Sequence, residues 1–534
     1  MQSKALRLFY VSSLALFLEL LLVRYLAVEI KFFMFFKNFV LMAAFVGMGL
    51  GAGMGGSKRN LSGWLHALSA VVVLLAVFAK ELGLNAAFIP TGANSFLWYH
   101  IRTMNDWATL TKVFASCLGL TVLVAAVFVP LGQSLGRLID ELPSDTAYAW
   151  DLGGSIMGVI AYSGSAFLGW SPKVGIGLVM LAAIPLVDAR RWRAVAIAIS
   201  VALAAVLATA KTAPDWKPTS ALADGTRMPE YWWSPYHRVH WEPYQAQKLA
   251  TGELVNPGYF GFLNGYYYFD LLDFRLATAK PPVPLVRAAA NTDISTAFAH
   301  YSVPYQFEKG AQSVLLLGAG PGNDTAVAIL NGATDITAVE IDPAVIRLGR
   351  EVHPMKPYLD PKVTVVNDDA RAYMARCQRQ FDIVSFGHLD SINLVSSFSS
   401  VRTDSYIYTK ESMRTAYSLV KPGGTLSVSF SGQEWILVKL NALLADASSS
   451  RPQVFQDAYM GTTTFIVQKP AAPGTVVGPE MTLDEVAKTL PLTRLVSFVE
   501  ISDDLVPTDD WPFLFLNERT PSPYHVVEIG RAHV

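Results

Sequence analysis

Between Ser313 and Leu330 the chain reads SVLLLGAGPGNDTAVAIL: an apolar run, three alternate glycines and a helical pattern of small residues. A strand that turns through glycines into a helix gathers backbone N–H groups and a helix N-terminus around a nucleotide-like ligand. Gly318, Gly320 and Gly322 make G-x-G-x-G, whereas the dinucleotide fingerprint is G-x-G-x-x-G/A and Asn323 stands in its third slot. No G-K-[ST] follows, which excludes a phosphate-gripping P-loop. Acids close the next two apolar runs. Glu340 ends the second and can accept both ribose hydroxyls, with Asp342 just behind it; Asp368 and Asp369 end the third, placed to accept from an adenine amino group. An acid-lined pocket suits a positively charged sulfonium and repels a pyrophosphate. The cofactor expected is S-adenosylmethionine or decarboxylated S-adenosylmethionine rather than NAD; the alternative is a structural domain whose cradle carries no ligand.

The elements that must position these residues are legible around them. SVLLLGAG, DITAVEID, KVTVVNDDA, FDIVSFGHLD and GGTLSVSF read as strands; NDTAVAILNG, PAVIRLGREVH and YTKESMRTAYSLV read as helices. Buried strands separated by helices predict a parallel, doubly wound sheet with its ligand at the carboxyl ends, over residues 311–470. Residues 212–310 precede it as a β-rich lid and connector, with Leu263–Gly265 as a hairpin turn. Residues 471–527 form a C-terminal extension.

The first part of the chain has a different texture. Of 534 residues 52% are hydrophobic and 16% charged, against about 25% charged in soluble domains. The deficit sits in residues 1–211, where apolar segments recur at Leu8–Ile30, Phe39–Gly56, Trp64–Phe78, Val113–Leu131, Trp150–Gly169, Val174–Val187 and Ala194–Ala210. Several reach the roughly 17–25 residues that span a bilayer, which predicts a multi-pass bundle in the cell membrane. GMGLGAGMGG puts Gly47, Gly51 and Gly55 on one helix face, and GGSIMG does the same with Gly154 and Gly158, as close helix packing in lipid requires. Glu19, Arg24 and Asp151 are expected to face the bundle interior or each other. The positive stretches SKRN and ARRWR favour a cytoplasmic N-terminus, and seven spans would then put the second half outside. The cofactor is made in the cytoplasm, so the α/β domain is nonetheless expected there. Net charge is −1, which gives no nucleic-acid footprint; two distant cysteines build neither a disulfide framework nor a zinc site, and no metal is expected.

VLLLGAGPGND, AVEIDPAVI, NDDARAYM and KPGGTLSV resemble, in order and spacing, the successive motifs of the spermidine synthase (polyamine aminopropyltransferase) family. SPYH at Ser234–His237 is similar to that family's S-x-Y-Q, with His237 in place of the glutamine, and makes Tyr236 and His237 candidate substrate contacts. The whole chain resembles the membrane-embedded spermidine synthase-like proteins of bacteria. The resemblance implies a polytopic α-helical membrane bundle, a short β-rich segment and a Rossmann-like α/β S-adenosylmethionine-dependent transferase domain. It also implies cofactor roles for Gly318, Gly320, Glu340 and Asp369.

The fourth strand departs from the family. Its pattern YDVIIxDxxDP carries two loop aspartates, the first of which orients and deprotonates the attacking amine; FDIVSFGHLDS here puts Gly387 and Asp390 at those places. With a three-residue insertion, Asp390–Ser391 would instead replace the catalytic pair. Asp390 is the catalytic carboxylate expected, His388 a substitute base, and putrescine turnover is expected to be poor. The hydroxyl-rich stretch Ser396–Ser412, with Arg402 and Asp404, would cover the reacting end of the cofactor. The acceptor is a small molecule or a lipid, and a homodimer is allowed. The alternatives are a methyltransferase acting on a membrane-delivered acceptor, and a transporter or sensor that only binds a nucleoside. The last seven residues, Glu528–Val534, read as a translated sequencing adapter, so the natural chain is expected to continue beyond about Val527.

Overall fold

Small residues decide how closely the first helices approach. The structure is a computed structural model that describes residues 2–30, 33, 37–84, 107–209, 231–285, 292–389, 405–457, 459, 461–471, 494–499 and 501–514. Asp390, Arg402, Asp404 and the Glu528–Val534 tail lie outside the described residues. The helices are α1 (Gln2–Glu29), α2 (Lys37–Gly53), α3 (Trp64–Val77), α4 (Trp107–Asp140), α5 (Ser144–Phe167), α6 (Pro172–Ala182) and α7 (Arg190–Thr209). Each apolar segment read from the sequence falls on one of them. Three stretches, Gln2–Glu29, Ala115–Asp140 and Arg190–Thr209, are long and apolar enough to cross a membrane. At 14 and 11 residues, α3 and α6 are shorter than the roughly 17–25 that a crossing needs.

A β-carbon on Gly47 or Gly51 of α2 would run into the Ala125 or Val129 carbonyl of α4, and one on Gly132 or Gly136 of α4 into Met48 or Ala52 of α2. Gly154 and Gly158 of α5 meet the Phe9 and Ser13 carbonyls of α1 in the same way. Across that second seam Ser12 Oγ donates to Asp151 at 2.5 Å. Glu19 is buried inside the bundle. Arg24 meets neither; it bonds Tyr162 of α5 within the bundle and reaches the Ser234 carbonyl beyond it, with its guanidinium 5.0 Å from the Trp233 ring centroid. The two positive stretches lie together at the other end of α1, where Arg7 and Asn60 meet Asp188 and Trp64 packs on Trp192.

The lid is an antiparallel sheet of β1 (Trp232–Trp233), β2 (Arg238–Pro243), β3 (Gly258–Leu263) and β4 (Tyr266–Leu272), in that order. The expected turn joins β3 to β4 with Asn264 and Gly265 both at positive φ, 52° and 85°, which suits a tight hairpin. Arg238 of β2 is ion-paired at 3.0 Å to Glu29, the last residue of α1, with both side chains under a tenth exposed.

The α/β sheet contains β5 (Ser313–Leu317), β6 (Asp335–Glu340), β7 (Val363–Asn367), β8 (Phe381–Phe386), β9 (Val420–Phe430), β10 (Gln453–Gln456), β11 (Thr463–Gln468) and β12 (Arg494–Leu495). Their order is β7-β6-β5-β8-β9-β11-β10-β12. The first five are parallel, as expected, but β11, β10 and β12 run antiparallel, so the sheet is mixed. The link from β10 to β11 is too short for the crossover that a parallel pair needs. On β5, Leu315 and Leu317 pack toward α12 (Lys410–Ser418) and α13 (Glu434–Ser448), while Val314 and Leu316 pack toward α8 (Ile294–Phe307) and α9 (Asn323–Leu330). Apolar residues on both faces explain the unbroken hydrophobic run. β5 lies between β6 and β8, so the chain reverses direction across the sheet there, and a ligand belongs at that crevice.

The helix seam gives a paired test. Gly51→Leu is expected to lower the stability of the purified protein in detergent by about 3 kcal/mol, since backbone cannot move aside cheaply. Gly49→Leu on the same helix, where a β-carbon meets nothing within 4 Å, is expected to leave the melting temperature unchanged. Equal melting of the two variants would refute the seam.

Candidate active site

The cradle forms where β5 ends. Gly320 has φ 56° and a β-carbon there would meet nothing within 4 Å, so its backbone faces open space that a ligand can occupy. Gly322, at φ 107°, caps α9 in a left-handed conformation that a side chain would strain. Glu340, at the end of β6, accepts from the Gly320 N–H and the Asp342 N–H, both at 2.9 Å. Burial pushes its carboxyl up to about 7, against the pull of those two backbone donors. Each oxygen keeps a lone pair for a hydroxyl donor. Open space beside a glycine backbone and a carboxylate at the strand end fit an adenosyl compound.

Asp342 is more deeply committed than its place in the sequence suggests. It caps α10 (Pro343–Glu351), with Oδ1 accepting from the Ala344 N–H at 2.8 Å. Its Oδ2 accepts from Ser234 Oγ at 2.7 Å and pairs with His237 Nδ1 at 3.0 Å. The SPYH turn is thus fastened to the cradle from above, and Val239, Trp241, Leu263 and Leu271 of the lid pack on Ala344, Val345 and Leu348 of α10. Tyr236, half-exposed on this turn, has its phenol pushed up by burial and by the carboxylates of Asp342, Asp369 and Glu340. Asp369 caps α11 (Ala370–Arg376) through the Ala372 N–H at 2.8 Å, and Asp368 is paired with Arg376. The structure therefore brings Gly318, Gly320, Gly322, Glu340, Asp342, Asp369, Tyr236 and His237 to one crevice, and turns Asp368 toward an exposed arginine.

On the far side of β5 the site holds residues that motif reading missed. Asn323 donates to the Asp270 carbonyl at 3.0 Å, and its Oδ1 meets the Leu272 N–H at 3.1 Å and His353 Nε2 at 3.0 Å. Its amide stitches lid strand β4 to the cradle, which accounts for asparagine where the fingerprint has glycine or alanine. Asp270 accepts from the hydroxyls of Tyr244, Tyr267 and Tyr459. His300 of α8 pairs with Asp457 at 2.7 Å and stacks on Tyr459. His388 has its Nε2 3.1 Å from both Ser431 Oγ and Thr462 Oγ1, and burial pushes it down to about 3. This environment holds the imidazole neutral and makes it a weaker base than a free histidine, at the position expected for a substitute base.

Residues 296–465 match the Spermine/spermidine synthase domain family. The chain carries a spermidine synthase-like domain. The chain is 31% identical over 146 residues to polyamine aminopropyltransferase 1 of Streptomyces coelicolor, covering 25% of this chain and 27% of that one. It is 26% identical over 118 residues to the polyamine aminopropyltransferase of Korarchaeum cryptofilum, covering 22% and 34%. The chain thus spans about a quarter to a third of the length of the curated relatives it matches. Among solved structures, spermidine synthase from Thermotoga maritima aligns with 49% of this chain and 87% of its own, at 14% identity and a TM-score of 0.33. In the spermidine synthase-like domain the acids at the ends of β6 and β7 could be read from motifs. The His300–Asp457 pair could not, since its partners stand 157 residues apart.

Glu340 makes the cradle sensitive to pH. Holding two ribose hydroxyls would need the charged form of Glu340, so affinity for an adenosyl compound is expected above about pH 7 and is expected to fall below it. Calorimetric affinity for methylthioadenosine is expected to fall by up to about tenfold per pH unit as pH drops from 7 to 5. Glu340→Gln should bind weakly with no such slope; a wild-type affinity flat across that range would refute the assignment.

Proposed function

We propose that the protein is a membrane-bound, spermidine synthase-like transferase that uses S-adenosylmethionine or its decarboxylated form. The observation that carries this reading is the Gly320–Glu340 contact: a strand-end carboxylate held at a glycine with open space above it, at the reversal point of the sheet. Glu340 would hold the ribose hydroxyls, Asp369 the adenine amino group, and the Tyr236–His237 turn would close over them. The bound cofactor supplies an electrophilic carbon beside a sulfonium. The chain's own residues hold it, keep water away with the aromatic lid, and offer the acceptor a polar wall of Tyr301, Tyr459 and His300. Asp390 is proposed to face the acceptor, a small amine or a membrane-delivered molecule.

Three helices of crossing length and the closely packed glycine seams support embedding in the cell membrane. Cytoplasmic supply of the cofactor favours a cytoplasmic α/β domain. The gathering of both positive stretches at the end of α1 away from the lid favours the opposite orientation. Labelling of an introduced Lys362→Cys with an impermeant reagent in intact cells, on a Cys377→Ser background, separates the two.

The activity is tested by mass spectrometry of products after incubating the purified full chain with putrescine or a membrane extract and each cofactor form. An aminopropylated amine made from the decarboxylated form is expected. A methylated product would make the protein a methyltransferase, and a cofactor bound but left intact would make it a sensor or transporter domain.

A further inference from the structure

Gly387 follows β8 directly, beside the cradle. A β-carbon built there would lie 3.3 Å from Asp324 Oδ2 and 3.2 Å from the Gly318 carbonyl. A carboxylate from the first turn of α9 therefore occupies the space into which a side chain at position 387 would point. Among the described residues Asp324 forms no salt bridge, and it is half-buried. Behind it stands His300, whose Nδ1 is taken by Asp457 at 2.7 Å. Burial raises the Asp324 carboxyl to about 6 with His300 pulling the other way, while Asp457 and then Asp324 raise His300 against its own burial. The other titratable groups facing this pair are His388, whose ring centroid is 5.5 Å from that of His300, and the hydroxyls of Tyr305 and Tyr358. A half-buried carboxylate beside the cradle, without a salt bridge among the described residues, calls for a cationic ligand, because a buried charge is costly unpaired.

Resting on the transferase reading above, we propose that Asp324, backed by the His300–Asp457 pair, is the specificity-determining group that holds a ligand's primary ammonium beside Gly387. The ammonium could belong to the tail of the cofactor or to the acceptor. In either case the interaction is a charge-assisted hydrogen bond in a partly dry site, and the carboxylate comes from a helix and not from the fourth strand. A methyl acceptor lacking an amine would find no use for this group.

Calorimetry on the detergent-solubilised full chain tests this without turnover. The probes are methylthioadenosine, which lacks a tail amine, decarboxylated S-adenosylhomocysteine, which has one on a neutral thioether, and putrescine added with methylthioadenosine present. In Asp324→Asn, methylthioadenosine affinity is expected to stay within about twofold, which also shows that the variant is folded, while an amine-bearing probe weakens about tenfold or more. A loss confined to decarboxylated S-adenosylhomocysteine assigns the ammonium to the cofactor tail, and a loss confined to putrescine assigns it to the acceptor. Asp457→Asn should weaken the same probe by a smaller factor. Unchanged affinity for both amines, or a parallel loss for methylthioadenosine, overturns the proposal while leaving the cradle standing. If the unmodified protein binds no adenosyl compound at any pH, the transferase reading itself fails and this assignment fails with it.

Discussion

A buried carboxylate must be surrounded by donors, and Asp342 collects its donors from three parts of the chain. Ala344 supplies the first free N–H of α10, Ser234 a hydroxyl from the lid turn, and His237 a ring nitrogen. The backbone N–H of Asp342 in turn goes to Glu340, which holds Gly320. Charged hydrogen bonds of this kind contribute about 1.5–3 kcal/mol each, and removing one leaves a buried charge short of a partner. The strand end, the helix start and the lid turn therefore cannot be positioned independently. The helical bundle joins the same arrangement, because Arg24 of α1 grips the Ser234 carbonyl and Glu29 anchors Arg238 just beyond the turn.

This constraint divides the site into two unequal halves. The cofactor side follows from local rules: glycines after a strand, acids at the ends of the next strands, helix caps that fix the loops. The acceptor side is assembled from distant pieces, with Asp270 and its tyrosines from the lid, His300 from the helix before the sheet and Asp457 from its antiparallel edge. Gly387 marks the boundary. A side chain there would compete with Asp324 for space, so the fold accommodates a carboxylate on the helix or on the strand but crowds both together.

The parts legible in the sequence are those set by short-range periodicity. The five parallel strands, their helices, the Asn264–Gly265 turn and the glycine faces of α2 and α5 all follow from residues within one or two turns of each other. The antiparallel edge was not legible, because β10 and β12 are four and two residues long and β10 is polar at both ends. Asn323 read as a broken fingerprint because its partners, Asp270, Leu272 and His353, come from other elements. The second contact of Arg24, to the Ser234 carbonyl, was not legible, since nothing local reveals that the lid turn lies against the end of α1. The enclosure of His388 was not legible, because the two hydroxyls that surround it come from just beyond β9 and the loop before β11.

The central claim is that the first helix of the bundle holds the lid turn, and through Asp342 the cofactor cradle, in place. The direct measurement is calorimetric affinity for methylthioadenosine in Arg24→Ala, a residue bonded to the Ser234 carbonyl. Loss of one charged hydrogen bond at that point predicts a weakening of about tenfold, partly restored in Arg24→Lys. Affinity equal to that of the unmodified chain, in an Arg24→Ala protein with unchanged melting, would show that the cradle stands without the bundle and contradict the account.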